Sequence, residues 1–343
     1  MENTLPSVAV VILNWNGQKL LEEFLPSVIK TSYSNSTVYV ADNGSSDDSI
    51  DYTKKNYPSV QIVALDKNYG FAEGYNRALQ EIEAQYFVLL NSDVAVAPDW
   101  LDDLVDAAEK DPQIGALQPK ILAQKQPTHF EYAGAGGGFW DKWGYPLCRG
   151  RILHVLEEDQ GQYNDVCDIG WAGGCALFIR KQLYHDIGGL DPDFFAHFEE
   201  IDLCWRVWRS GHRVKVIPSS VVYHVGGATL GAASPRKTFL NFRNSLVFLL
   251  KNKPMPGLAN ALFIRLYMDG IAGLVFLLRG QPEHVLAIIK AHWSFFFRFP
   301  FWLKKRREVK ELMSQYSALS PPEYSKSMVW QFYGNKRKKY SEL

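Results

Sequence analysis

The chain has 343 residues, 47% of them hydrophobic and 22% charged, which excludes a disordered or collagen-like polymer and fits one large domain or two ordinary ones. Lys plus Arg and Asp plus Glu both number 37, giving zero net charge. The zero hides a split: residues 251–343 carry 16 basic and 6 acidic side chains, so the first 250 residues are acidic by 10. A basic tail segment on an acidic body points to an anionic partner such as membrane lipid or nucleic acid.

Cys148, Cys167, Cys175 and Cys204 show neither zinc-site spacing nor a CxxC pair, so a reducing compartment is expected. The apolar run at residues 8–13 is too short for a signal peptide. The best spanning candidate, residues 261–278, is interrupted by Arg265 and Asp269, so no transmembrane helix is expected.

Residues 8–13 are continuously apolar, as in a strand buried on both faces. Asn14-Trp-Asn-Gly breaks the run, and residues 20–29 have helical periodicity. A second strand over 37–41 ends in Asp42-Asn-Gly-Ser-Ser-Asp-Asp, a turn followed by helix-capping chemistry. A third strand over 60–65, a helix over 72–82 and a fourth strand over 86–90 follow, the last ending in Asn91-Ser-Asp. This alternation predicts an α/β fold with a mostly parallel sheet flanked by helices, in which ligands bind at the carboxyl ends of the strands. Asn14, Asp42, Asn68 and Asp93 all lie just beyond predicted strands. Residues 120–170 read as glycine- and aromatic-rich loops around Trp140, Trp143 and Tyr145. Strand character returns over 171–180, a helix lies within 194–209, and a short strand covers 214–217. Beyond these the chain turns helical, apolar, aromatic and basic.

Several polar groups could carry chemistry. Asp42 can accept from the N3–H of a uracil or thymine ring, or cap the next helix. Asn68-Tyr-Gly-Phe-Ala-Glu-Gly-Tyr-Asn opens a helix whose glycines permit close backbone approach and whose free N–H groups suit a phosphate-bearing ligand. Asp93, after a buried strand, can hold a hard divalent cation that bridges a diphosphate. Asp99, Asp102 and Asp103 read instead as first-turn helix charges. In Phe198-Glu-Glu-Ile-Asp-Leu-Cys-Trp-Arg, Glu199 and Asp202 share a helix face and Glu200 points elsewhere. The aromatic flanks argue against open surface. His224, in Tyr223-His-Val-Gly-Gly, reads as an exposed loop histidine and a candidate ligand.

In order and spacing, Val10-Val-Ile-Leu-Asn-Trp-Asn, Val40-Ala-Asp-Asn-Gly-Ser-Ser-Asp, the Asn68 motif, Leu90-Asn-Ser-Asp-Val, Gly173-Gly-Cys-Ala-Leu-Phe-Ile-Arg and Phe194-Phe-Ala-His-Phe-Glu-Glu-Ile-Asp resemble family-2 glycosyltransferases. The nearest branch is the rhamnosyltransferase-like one of bacterial surface-polysaccharide synthesis. The resemblance implies a GT-A catalytic domain over 1–250 and a helical extension over 251–343. It also implies a dTDP- or UDP-sugar donor, a polyprenyl-linked or saccharide acceptor, Mg²⁺ or Mn²⁺, and inversion at the anomeric carbon. Asp42 matches the family's base-recognition aspartate, and Asn68 and Gly70 its nucleotide-contacting turn. Asn14, Asn76 and Asn91 fall in the same donor-binding motifs. Asp93 matches the last aspartate of the D-x-D metal signature, whose first position is Asn91 here. His224 matches a histidine that closes the metal and diphosphate site. Glu199 and Glu200 fall on a Glu-Asp pair whose Asp is the usual catalytic base, so Glu200 is the expected base, with Glu199 second and Asp202 in support. The departures at 91 and 200 motivate an alternative, a catalytically impaired member serving as a sugar-nucleotide-binding or scaffold subunit.

In the tail, aromatic residues 293–302 run into four consecutive cations, Lys304, Lys305, Arg306 and Arg307. This combination fits an interfacial helix on an anionic leaflet, the inner face of the cytoplasmic membrane. Helices packed on the domain, or forming a homodimer, are the competing uses. No nucleic-acid-binding module is recognisable, so no nucleic-acid partner is expected.

Overall fold

The computed structural model describes residues 5–226 and 234–343. The expected alternation is realised as β1 (Val8–Asn14), α1 (Gln18–Ile29), β2 (Ser36–Asp42), α2 (Ser49–Asn56), β3 (Gln61–Ala64), α3 (Phe71–Gln80) and β4 (Tyr86–Leu90). β1 lies between β2 and β4, parallel to both, with Asn14 opposite Asp42 and Ile12 opposite Leu90. β3 continues the parallel run beyond β2. Parallel register brings the carboxyl ends of these strands to one edge. β1 and β4 are buried on both faces, which is why their sequences are continuous apolar runs rather than alternating ones.

The second half comprises β5 (Val94–Val96), α4 (Asp102–Lys110), β6 (Ile114–Ala123), β7 (Gln126–Phe130), β8 (Gly138–Trp140), β9 (Pro146–Cys148), β10 (Arg151–Ile152), β11 (Val155–Leu156), β12 (Cys167–Asp168), β13 (Ala176–Arg180), α5 (Lys181–Asp186), α6 (Glu199–Arg209) and β14 (Arg213–His224). The large sheet runs β12-β14-β6-β13-β4-β1-β2-β3, with β5 on β14 and β7 on β6. This half is mixed: β13 is antiparallel to β4 and β6, whereas β14 is parallel to β6. Five helices complete the chain: α7 (Pro235–Asn252), α8 (Leu258–Leu278), α9 (Pro282–Phe297), α10 (Phe299–Met313) and α11 (Met328–Tyr333).

The structure corrects four readings of the sequence. Within 120–170, β8 to β11 form a separate four-stranded sheet, with Leu147 and Ile152 packed on Met328 and Phe332 of α11. The short strand at 214–217 is the start of the 12-residue β14. Pro218-Ser-Ser interrupts its apolar pattern, and a register shift between Ile217 and Val221 absorbs the interruption. α8 is long and apolar enough to cross a membrane by length and composition, although Arg265 and Asp269 were read as breaking it. Both charges turn inward: Arg265 donates to the Gly144 carbonyl and the Ser245 hydroxyl, and Asp269 lies 3.0 Å from His292 Nε2. The outward face of α8 is therefore an unbroken stripe of Phe263, Tyr267, Ile271, Leu274 and Leu278. On α9, Leu286, Ile289, Trp293 and Phe297 are also exposed.

The fourth correction concerns the cation run. Successive helical residues point about 100° apart, so four in a row cannot share a face. Lys305 pairs with Asp191 and Asp193, and Arg306 donates to the carbonyls of Leu250 and Lys253. Only Lys304 and Arg307 of the four are exposed. The four cysteines are unpaired, in line with the reading of the sequence.

Candidate active site

Asn14 and Asp42 end adjacent parallel strands, and their side chains meet. Asn14 Nδ2 donates to Asp42 Oδ1 (3.2 Å) and to Ser49 Oγ (3.0 Å), while Asp42 Oδ2 accepts from the Ser45 N–H (3.0 Å). Gly44, at φ 71°, is required here: a Cβ on it would lie 2.5 Å from Lys67 Cα. Asn43, passed over in the sequence, ties the end of β2 to the turn before α3. Its Oδ1 accepts from the Tyr69 N–H (2.9 Å) and its Nδ2 donates to the Gly70 carbonyl (2.9 Å). Asn68 Oδ1 closes the same turn by accepting from the Gly70 N–H (2.8 Å). Asn76 plays a different part from the donor contact expected of it. Its Nδ2 donates to the Leu190 carbonyl (2.7 Å), and its Oδ1 accepts from the Tyr184 hydroxyl (2.6 Å) and the Leu190 N–H (2.9 Å). Those bonds brace the 189–190 turn.

The end of β4 is joined to β13 by the Asn91 N–H, which donates to the Cys175 carbonyl (2.9 Å). β14 pairs with β5 so that His224 lies opposite Val94, next to Asp93. His224 Nε2 is 3.2 Å from Asp93 Oδ1 and 3.5 Å from Asn91 Nδ2. Its Nδ1 is 3.2 Å from Glu131 Oε2, at ion-pair distance but without hydrogen-bond alignment. His224 is thus a buried strand residue, 5% exposed, and not the loop residue expected. Gly227 of its motif lies outside the described residues. Burial opposes a charged imidazole, but contact with Cys175 and the carboxylates of Asp93 and Glu131 outweigh it and raise the His224 pKa well above its usual value.

These side chains fit a divalent cation that displaces the imidazole proton, since a metal-bound histidine is neutral. A carboxylate oxygen and an imidazole nitrogen converge, and a second carboxylate stands behind the imidazole, as is usual for metal-binding histidines. Among the described residues no three His, Cys, Asp or Glu side chains form a closed cage. Mg²⁺ or Mn²⁺ here would take Asp93 and His224 as protein ligands and complete its shell with diphosphate and water oxygens, in the manner of substrate-bridging magnesium.

Glu199 and Glu200 open α6 directly after Phe198, which is left-handed at φ 75°. Glu199 is buried and Glu200 half-buried, and Oε2 of each has no hydrogen-bond partner. A Cβ on Gly174 would lie 3.5 Å from Glu200 Cβ. Gly174 adjoins Cys175, so Glu200 stands beside the strand edge that carries Asn91. Burial pushes the Glu200 carboxyl up to about 7. Burial and the neighbouring Glu200 charge push Glu199 well above the usual carboxylate range. Asp202 differs. It is fully buried and accepts from Arg206 (2.8 Å), Lys251 (2.9 Å) and Asn252 (2.8 Å). Burial would raise its pKa, but Lys251 and Arg206 hold it below the usual range. Its support of the site is to anchor α6 from beneath, out of reach of substrate.

Residues 9–184, just over half of the chain, match the family model described as Glycosyl transferase family 2. The N-acetylglucosaminyl-diphospho-decaprenol L-rhamnosyltransferase of Mycobacterium tuberculosis is 26% identical over 274 residues, covering 73% of this chain and 85% of the relative. The poly-beta-1,6-N-acetyl-D-glucosamine synthase of Staphylococcus aureus is 23% identical over 237 residues, covering 66% of this chain and 52% of the relative. Among solved structures, GalNAc-T7 with UDP, GalNAc and Mn²⁺ superposes with a TM-score of 0.56 at 19% identity, over 73% of this chain and 48% of that one. The mannosyltransferase PcManGT from Pyrobaculum calidifontis, with GDP-Man and Mn²⁺, gives 0.54 at 16% identity, over 91% and 87%. The fold is that of the GT-A glycosyltransferases, and the chain belongs to glycosyl transferase family 2.

Proposed function

We propose that the protein is a metal-dependent, inverting hexosyltransferase of surface-polysaccharide synthesis. It moves rhamnose or a similar hexose from a dTDP- or UDP-sugar to a hydroxyl of a polyprenyl-linked or saccharide acceptor. The observation that carries this reading is Glu200: a half-buried carboxylate with a free oxygen and a pKa near neutrality, beside the strand edge that bears Asp93. The M. tuberculosis relative, named for a diphospho-decaprenol acceptor and an L-rhamnosyl group, supports the choice of substrates.

An acceptor hydroxyl is too weak an acid to ionise unaided at neutral pH, so Glu200 takes its proton as the oxygen attacks the anomeric carbon. The bond to the diphosphate breaks as the new glycosidic bond forms, and a single displacement inverts the centre. Asp93 and His224 would hold the divalent metal. When bound, the metal neutralises the charge that develops on the leaving diphosphate. Glu199, its pKa raised by burial and by the Glu200 charge, stays protonated and keeps a second negative charge away from the base. Asp42 accepts from the N3–H of the donor's pyrimidine, and the turn of Asn68 and Gly70 packs against the nucleoside. The exposed stripes of α8 and α9 lie in the membrane interface, bringing the lipid-linked acceptor to the site. The carboxylate retained at position 200 favours an active enzyme over a scaffold.

The test is a panel of nucleotide sugars offered with a polyprenyl-diphosphate-linked N-acetylglucosamine, with Mg²⁺, Mn²⁺ or chelator. Metal-dependent formation of a lipid-linked disaccharide with inverted anomeric configuration by NMR is expected. Retained configuration, or no transfer from any donor, overturns the reading.

A further inference from the structure

The segment that delivers Glu199 and Glu200 is held in an unfavourable backbone shape. Phe195 (φ 67°, ψ −57°), His197 (φ 67°) and Phe198 (φ 75°, ψ −10°) all have positive φ, and none is glycine. Such conformations persist only where their surroundings over-determine them. No regular element supplies that constraint, because the 3₁₀ turn Pro192–Phe194 ends before them and α6 starts after them. Phe198 at the start of α6 has no side-chain cap.

The Ala196 N–H closes the turn at Phe195 by donating to the Phe194 carbonyl (2.8 Å), and one buried side chain ties the segment to the rest of the fold. Asn244, on α7 and fully buried, directs Nδ2 at three carbonyls of this segment: Phe194 (3.0 Å), Ala196 (2.9 Å) and His197 (2.7 Å). Its own Oδ1 accepts from Arg243 Nε (2.8 Å), which fixes the orientation of the amide. Arg243 Nη2 adds bonds to the carbonyls of Asp193 (2.9 Å) and Phe194 (2.9 Å). An amide has only two N–H groups, so the three carbonyls share them, and any rotation of the segment breaks at least one bond. The segment also reaches the nucleotide turn, since a Cβ on Gly70 would lie 3.2 Å from the Phe195 ring.

We infer that Asn244 is a positioning residue for the transfer reaction: its amide holds the segment 195–198, with its three positive-φ residues, so that Glu200 meets the acceptor hydroxyl. This rests on the reading of Glu200 as the base. Asn244 touches no reacting atom in this scheme and acts only through the segment. Loss of its donors lets Phe198 relax, and a base displaced by about an ångström loses up to about 10²-fold in rate.

The test is a double-mutant cycle in the full chain. Asn244→Asp keeps the volume and removes both N–H groups. Asn244→Ala removes them without adding charge and serves if the first variant does not fold. Each is assayed alone and with Glu200→Gln, at a temperature where thermal melting shows the protein fully folded. The expected result is a fall in kcat of about 10- to 10²-fold for the Asn244 variant alone. The double variant should be no slower than Glu200→Gln, because nothing remains to be positioned. If Glu200→Gln is impaired and the Asn244 loss adds to it in full, or if Asn244 variants turn over normally, the inference is overturned and the base assignment stands. If Glu200→Gln turns over normally, the base assignment itself fails, and this inference with it.

Discussion

Gly174 faces Glu200 with only a hydrogen where any other residue would place a carbon 3.5 Å from the glutamate Cβ. The contact links α6 to the start of β13, and through the Cys175 carbonyl to Asn91 at the end of β4. The proposed proton acceptor and the proposed metal cradle thereby share one sheet edge. Gly174→Ala places its methyl in ordinary contact with Glu200, so the fold should survive. Gly174→Leu fills the space above Glu200 and should lower kcat by about 10²-fold or more through the misplaced carboxylate. Steady-state kinetics with melting curves separate the two, and normal turnover in the Leu variant counts against the assigned site.

Asp93 and His224 form the second half of that edge. Asp93→Asn keeps the shape and removes the negative charge. Calorimetric titration of the nucleotide diphosphate should then show no gain on adding Mn²⁺. Turnover should fall by about 10²–10³-fold, the scale expected for a lost electrostatic stabiliser. Metal-responsive binding equal to wild type would show that the cation sits elsewhere.

How far the sequence could be read depended on how local each signal is. β1 and β4 are legible because they are buried on both faces of the sheet, so their strands are unbroken apolar runs, and Asp42 and Asp93 stand just beyond strand ends. Glu199 and Glu200 are legible from their aromatic flanks. Glu131 is not, since it meets His224 only through the pairing of β14 with β5 and β6 and the turn after β7. Asn244 and Lys305 were equally hidden. Each looks like an ordinary helix residue, and their partners lie 47 to 50 residues away for Asn244 and 114 for the Lys305–Asp191 bond. Asn76 shows that a motif position does not reveal the tertiary partners its amide meets, here Leu190 and Tyr184.

Lys251 is the cation on which that buried network turns. It donates to Asp191 (2.6 Å) and Asp202 (2.9 Å) and is itself buried. Lys251→Ala removes the cation that Asp191 and Asp202 share, leaving Lys305 on the one and Arg206 and Asn252 on the other, and should cost about 3 kcal/mol by chemical denaturation. Burial opposes ionisation of Asp191, but Lys251 and Lys305 hold its pKa below the usual 3.8. A carboxylate with a depressed folded pKa stabilises the fold above its unfolded pKa, and that stability is lost as pH falls below about 4. The variant should therefore show a shallower loss of stability on acidification than wild type. An unchanged denaturation midpoint would mean the network contributes little.

For the proposed membrane attachment, the apolar stripes should matter more than the cation run, because Lys305 and Arg306 are engaged internally. Leu278→Asp with Trp293→Asp should abolish sedimentation with anionic vesicles. Neutralising Lys304 and Arg307 removes about 1 kcal/mol per charge near the surface, a salt-sensitive loss of about 30-fold for the pair. Vesicle binding by the double aspartate variant equal to wild type would contradict this arrangement.

The central claim is that Glu200 is the general base, and the pH dependence of transfer tests it most directly. With a carboxyl pushed up to about 7 by burial, kcat/KM should rise with pH through that value as the carboxylate forms. The same shift means that the folded protein holds its proton more tightly than the unfolded chain. Ionising Glu200 therefore reduces stability as pH rises from the usual carboxylate value to about 7. Glu200→Gln keeps the size and loses the basicity. It should lower kcat by about 10²–10⁴-fold, abolish the acid limb, and melt higher than wild type at about pH 8. Wild-type turnover in Glu200→Gln with the acid limb intact would contradict the assignment and the mechanism built on it.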